Sequence, residues 1–137
     1  MARKQIAIPK RGEIYLVNFD PTVGSEINKT RPALIIQNDT SNTYGSVTIV
    51  AAITSAHDGV KMYPTEVFIS QGEGGLVNDS IVLLSQIRTI DKLQLVKKIG
   101  KLSFDKMKAV SYAILISLDT EESAEDFFGK PQGREIW

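Results

Sequence analysis

The side chains best suited to moving protons or gripping a phosphate lie in the first half of this sequence. They comprise the run Asp20-Pro21-Thr22-Val23-Gly24-Ser25-Glu26, then Arg31-Pro32, Gln37-Asn38-Asp39, Thr54 and a lone His57. With no cysteine anywhere, disulfides, thiolate zinc sites and thiol nucleophiles are excluded, and a reducing compartment is permitted. Histidine is the usual proton carrier near neutral pH, but one histidine cannot serve a two-histidine nuclease. His57 follows a strand-like run in the polar stretch Ala56-His57-Asp58-Gly59 and reads as a surface-loop residue. No HExxH, Asp-x-Asp loop or histidine pair stands at ligand spacing, so no catalytic metal or other cofactor is expected. Gly72, Gly74 and Gly75 lack the Lys-Ser/Thr of a phosphate-binding loop, and Gly24-Ser25-Glu26 lacks the second glycine of a serine-nucleophile elbow. What remains is chemistry by arginine, hydroxyl and carboxylate.

Those residues need a scaffold, and the sequence predicts one rich in short strands. Glu13 to Asn18 alternates around Ile14, Tyr15 and Leu16 before Asp20-Pro21 and Gly24 break it into an exposed loop. Ala33-Leu34-Ile35-Ile36 and Val47 to Ile53 are continuous, β-branched runs, as in strands buried on both faces or rolled into a small barrel. Asn38 to Asn42 supplies turn residues between them. Further strands are expected at Thr65 to Ser70 and from Ile81 towards Ile90, with Gly72, Gly74, Gly75 and Asn78 marking a flexible connection. Two helices are expected late. Asp91 and Gln94 form a capping-box pattern ahead of Leu93, Leu95, Val96 and Ile99, ending at Gly100. Ser103 caps a longer helix in which Phe104, Met107, Val110, Ile114, Leu115 and Leu118 recur at near-helical spacing, read as core packing.

At 137 residues and 42% hydrophobic, the chain is sized for one domain, expected over residues 1–118, with 119–137 an acidic, flexible tail. Sixteen basic and sixteen acidic side chains cancel, which argues against a diffuse positive field for coating nucleic acid. The balance hides a basic front, with Arg3, Lys4, Lys10, Arg11, Lys29 and Arg31, and an acidic end at Asp119, Glu121, Glu122, Glu125 and Asp126. No apolar stretch approaches the roughly 18 residues of a membrane span and no leader pattern opens the chain, so the expected setting is cytoplasmic, away from membranes.

Taken in order, these stretches resemble the MazF/PemK toxin endoribonucleases, also called the Kid or EndoA type. The resemblance is carried by Arg11-Gly12-Glu13-Ile14-Tyr15, by Phe19 to Glu26, by Arg31-Pro32-Ala33-Leu34-Ile35-Ile36-Gln37-Asn38-Asp39, by Ile49 to Thr54, and by Gln86-Ile87-Arg88-Thr89-Ile90-Asp91-Lys92. It spans about residues 10–118. It implies an α+β, β-rich fold, a small SH3-like barrel of the CcdB/PemK type with C-terminal helices. It also implies a homodimer and the toxin half of a type II toxin–antitoxin pair, neutralised by a MazE/PemI-like antitoxin and reaching DNA only through that complex. The implied activity is sequence-selective cleavage of single-stranded mRNA, with Arg31 and Thr54 at the catalytic positions. Phe19, Ser25, Glu26, Gln86 and Arg88 are candidates for contacting the RNA.

The chemistry suits those residue types. In metal-free RNA cleavage the nucleophile is the substrate's own 2′-hydroxyl, so the enzyme moves protons and stabilises charge on the phosphorane oxygens. Arginine's planar fork matches phosphate oxygens, and a threonine hydroxyl can donate to another. Arginine is a poor base, so the proton-transfer role that the resemblance implies for it needs a neighbour, a water or a strongly perturbed site, and Glu26 is the closest candidate to help. The expected products carry 2′,3′-cyclic phosphate and 5′-hydroxyl ends. Asn28-Lys29-Thr30 replaces the family's glycine-rich stretch before the arginine, so base preference does not transfer. Two rivals share the fold: a non-enzymatic, gyrase-poisoning toxin of the CcdB kind, and an inactive RNA- or protein-binding module.

Overall fold

The computed structural model describes residues 8–20, 30–57 and 61–120. Six strands and two helices follow in the order β1 (Glu13–Asn18), β2 (Thr30–Ile35), α1 (Asp39–Tyr44), β3 (Val47–Ser55), β4 (Glu66–Ile69), β5 (Ser80–Asp91), β6 (Leu95–Lys101) and α2 (Phe104–Ser117). The strands form one antiparallel sheet in the order β4-β5-β3-β2-β1-β6.

The uninterrupted apolar runs are explained by burial on both faces. Leu34, Ile36, Ala51 and Ile53 face the larger core with Ile14, Val82 and Leu84, where Val110 and Ala113 of α2 close over them. The alternate residues Ala33, Ile35 and Val50 join Tyr15, Val17, Ile90 and Leu95 in a smaller cluster on the opposite face, with Phe19 packed against it. α2 is fixed by polar clamps as well as by packing. Ser103 caps it by accepting from Lys106 N, Ser117 Oγ donates to Leu84 O at 2.7 Å, and Arg11 bridges Ile36 O and Ser111 Oγ.

The ladder of hydrogen bonds is open, with β4 and β6 at its two ends. The sheet nevertheless curls until the turn after β4 lies on β6. Glycines permit this approach: a Cβ on Gly75 would stand 2.4 Å from Ile99 O, and one on Gly100 would stand 2.4 Å from Gly74 O. The connection expected to be flexible is thus a packed seam, built of a short 3₁₀ turn at Glu73–Gly75.

Two late expectations need correction. Leu93 to Ile99 is not a helix: the capping box is real, with Asp91 accepting from Leu93 N and Gln94 accepting from Asp91 N, but it starts a single 3₁₀ turn, Lys92–Gln94. The chain then pairs with β1 as β6. The open edge of β1 offers these residues a ladder, and buried Leu95 beside exposed Val96 follows strand alternation. The described residues therefore hold one long C-terminal helix, not two. In α2 itself, Phe104, Leu115 and Leu118 were expected in the core but are 78%, 41% and 59% exposed.

Asn38 to Asn42, expected as a turn, opens α1. Asn38 accepts from Ser41 N, and fully buried Asn42 is the hub of a polar network. Its Oδ1 accepts from Thr48 Oγ1 (2.7 Å) and Gln37 Nε2 (2.9 Å), its Nδ2 donates to Gln37 O (3.0 Å), and buried Lys92 donates to its carbonyl.

Candidate active site

Arg31 lies on β2 and Thr54 near the end of β3. These strands pair with Ile35 opposite Val50, Leu34 opposite Ala51 and Ala33 opposite Ala52. Extending that register by two residues sets Arg31 against Thr54, on the same face of the sheet. The β2–β3 pairing itself ends at Ala33 and Ala52; Arg31 pairs on its other side with Val17 of β1 and Thr54 with Ile81 of β5. Both residues are exposed.

Both line one cleft of about 700 Å³, whose wall includes Leu16, Ile53 and Leu76 as its apolar part and Ser55, Asn78 and Ser80 as hydroxyl and amide groups. The Arg31 guanidinium donates to its neighbour's carbonyl, Thr30 O, at 2.8 Å, which holds it at the strand's outer end. The packed glycine seam forms part of the same wall through Gly75 and Ile99.

His57 also lines this cleft. As a surface-loop residue it is indeed exposed, but the loop begins beside the site. Its place three residues after Thr54, just past the strand end, was the signal in the sequence.

The remaining candidates divide. Phe19 and Arg88 meet each other, the guanidinium carbon 4.9 Å from the ring centroid, and neither lines the cleft. By alternation they share its face of the sheet: Phe19 continues the series Tyr15 and Val17, while Arg88 pairs with Val50. Gln86 is exposed where β5 bulges between Leu83, opposite Ala52, and Ile87, opposite Ala51. It is not brought to the cleft. Ser25 and Glu26, with the rest of their loop, lie outside the described residues. Gln37, Asn38 and Asp39 belong to the α1 network instead; Asp39 accepts from Arg11 N at 2.7 Å, a bond that lowers its pKa below the ordinary carboxylate value.

Among the described residues, no group of three or more His, Asp or Glu side chains stands together as metal ligands would. No helix among them is long and apolar enough to cross a membrane.

Comparison with known proteins bears on the family and the fold. Residues 10–118 match the family described as PemK-like, MazF-like toxin of type II toxin–antitoxin systems. The chain belongs to that family. The Endoribonuclease MazF of Staphylococcus saprophyticus is 49% identical over 109 residues, covering 80% of this chain and 90% of the relative. Among solved structures, the Mycobacterium tuberculosis toxin MazF-mt6 superposes with a TM-score of 0.65 at 25% identity, over 80% of this chain and 99% of that one. A mycobacterial endoribonuclease in complex with its cognate antitoxin gives 0.69 at 21% identity, over 84% and 99%; at that identity the likeness speaks for the fold. The resemblance read from the motifs, and the β-rich fold with a closing helix, are thereby established for this MazF-like toxin.

Proposed function

We propose that this toxin-family endoribonuclease cuts single-stranded mRNA without a metal, using Arg31 and Thr54 to stabilise the phosphorane while the substrate's 2′-hydroxyl attacks. The observation that carries this reading is the meeting of Arg31 and Thr54 on one cleft, on neighbouring strands in a register that sets them opposite each other. The bond formed is 2′-O–P and the bond broken is P–5′-O. One proton leaves the 2′-hydroxyl and one reaches the 5′-oxygen, giving 2′,3′-cyclic phosphate and 5′-hydroxyl ends. Arginine supplies paired donors to the non-bridging oxygens and the threonine hydroxyl a third. A gyrase-poisoning or inactive module would have no use for this pair, and the name of the 49% identical relative favours RNA cleavage.

The same reading covers partners and setting. The enzyme works in the cytoplasm as a homodimer, and exposed Phe104, Tyr112, Leu115 and Leu118 along α2 give a second copy an apolar surface to cover. A MazE/PemI-like antitoxin restrains it, as solved relatives bound to antitoxins suggest. Residues 1–118 form the catalytic unit, and the acidic segment 119–137 is an appendage. Phe19 and Arg88, with Ser25, Glu26 and Gln86, receive the flanking RNA.

The test is incubation with a long single-stranded RNA in excess EDTA, followed by mapping of fragment ends. Discrete cuts with cyclic phosphate ends are expected. Ends carrying 3′-hydroxyl and 5′-phosphate, or dependence on added metal, would refute the mechanism.

A further inference from the structure

Resting on the reading above, we infer that His57 is a further catalytic residue of this enzyme, the base that takes the proton from the attacking 2′-hydroxyl.

The cleft has an unequal supply of chemistry. Arg31 carries only donors, and a guanidinium is a poor proton acceptor. The Thr54 and Ser55 hydroxyls donate or accept hydrogen bonds but do not take up a proton near neutrality. Asn78 and Ser80 add polar groups of the same limited kind. Everything needed to stabilise the phosphorane is present, while a proton acceptor is missing from this set. Among the described residues lining the cleft, His57 alone has a side chain of the type that exchanges protons in the neutral range.

Its position is built, not incidental. β3 pairs Thr54 with Ile81 and Ser55 with Ser80, and the next residue, Ala56, donates its N–H to Asp79 O at 2.8 Å. The turn that receives it is itself fixed, because Ser80 Oγ donates to Asn78 O (2.8 Å) and the Asp79 carboxylate accepts from Gln71 N (2.7 Å). The backbone is therefore held up to the residue preceding His57, and the imidazole stands at the cleft rim with little chain left to wander. Among the described residues, Arg31 of β2 lines the same cleft and Asp79 of that turn receives the bond from Ala56; Asp58, next in sequence, lies outside the described residues. In the step proposed, neutral His57 accepts the 2′-hydroxyl proton as 2′-O bonds to phosphorus. Water held by Arg31 protonates the departing 5′-oxygen, and the imidazolium returns its proton to solvent.

The experiment is single-turnover cleavage of a short single-stranded RNA in EDTA across pH 5–9, comparing wild type with His57→Ala, His57→Gln and Glu26→Gln, with added imidazole as a rescue. The expected result is a rate constant lowered by roughly 10²-fold in both His57 variants, as removal of a general base costs, with RNA affinity nearly unchanged. The wild-type rate should rise with pH within this range, as removal of a proton from a general base requires. That rise should persist in Glu26→Gln, vanish in His57→Ala, and imidazole should restore part of the His57→Ala rate. A rise that survives in both His57 variants, or a rate they leave unchanged, overturns the assignment while leaving metal-free cleavage by Arg31 and Thr54 intact. Failure of the wild type to cut RNA in EDTA would instead overturn the underlying reading.

Discussion

The Arg88 guanidinium stands 4.9 Å from the centre of the Phe19 ring, so the two residues proposed to receive RNA first recognise each other. Such a contact is worth about 0.5–1 kcal/mol at an exposed site. It joins β5 to the end of β1 on the face that also carries Arg31 and Thr54, and it presets an aromatic–cation platform beside the cleft. A base entering this platform can stack on the guanidinium plane or displace it from the ring. Arg88→Ala is therefore expected to raise KM for single-stranded RNA by roughly 5–150-fold, taking about 1–3 kcal/mol per stacked base as the scale, with kcat little changed. Steady-state kinetics on one short RNA would decide it; a fall in kcat at constant KM would count against the platform.

The Asn42 hub should matter to stability and not to chemistry. Asn42→Leu strands the Thr48 hydroxyl, which loses its acceptor, and leaves Gln37 Nε2 with Val47 O alone; the site lies away from the cleft-lining residues. A loss of about 1–3 kcal/mol is expected from unpaired buried groups, read from the denaturant midpoint, with the cleavage rate of the folded fraction unchanged. Retained stability would mean that the network is not the anchor of α1.

The glycine seam makes a sharper prediction because two glycines of like backbone differ in surroundings. Gly72 has φ +90° with nothing within 4 Å of an added Cβ, while Gly75 has φ +80° with Ile99 O at 2.4 Å. Gly72→Ala should cost only the left-handed backbone, about 1–2 kcal/mol. Gly75→Ala should cost more and also slow cleavage, since the seam is a wall of the cleft. Equal losses in thermal unfolding would refute the close packing of the turn against β6.

Alkaline stability follows from Tyr15. Burial, assisted by the neighbouring Glu13 carboxylate, raises its pKa from 10.0 to about 12. The folded state thus holds the phenol neutral where the unfolded chain releases its proton, so the contribution is complete below pH 10 and is lost as pH climbs towards 12. Tyr15→Phe should flatten that part of the stability–pH curve, measured by urea denaturation between pH 9 and 11. An unchanged slope would contradict the assignment.

Much of this was legible in the sequence because its signals were local. The runs around Leu34 and Val50 are apolar at every position since each strand is buried on both faces, and the Ser103 cap fixed the start of α2. The β6 segment was not legible: Leu95, Val96 and Ile99 fit a helical stripe, and only the free edge of β1, distant in sequence, makes them a strand. Phe104 and Leu118 likewise satisfy the period of α2 without facing the core. At the site, Arg31 and Thr54 could be found through the motif, but their shared register needed the sheet. His57 was set aside as a single histidine in a polar loop; its place three residues after Thr54 was the signal, and the Ala56 to Asp79 bond is what brings it to the cleft.

The most direct test of the central claim, that Arg31 and Thr54 act on one phosphate, is a double-mutant cycle. Single-turnover cleavage rates in EDTA would be measured for wild type, Arg31→Ala, Thr54→Ala and the double variant, each confirmed folded by circular dichroism. Each single substitution is expected to cost roughly 10²–10³-fold, the scale of one lost transition-state donor. The double variant should lose clearly less than the product of the two, because the pair serves a single transition state. Fully multiplicative losses, or a single variant that cuts at the wild-type rate, would contradict the account.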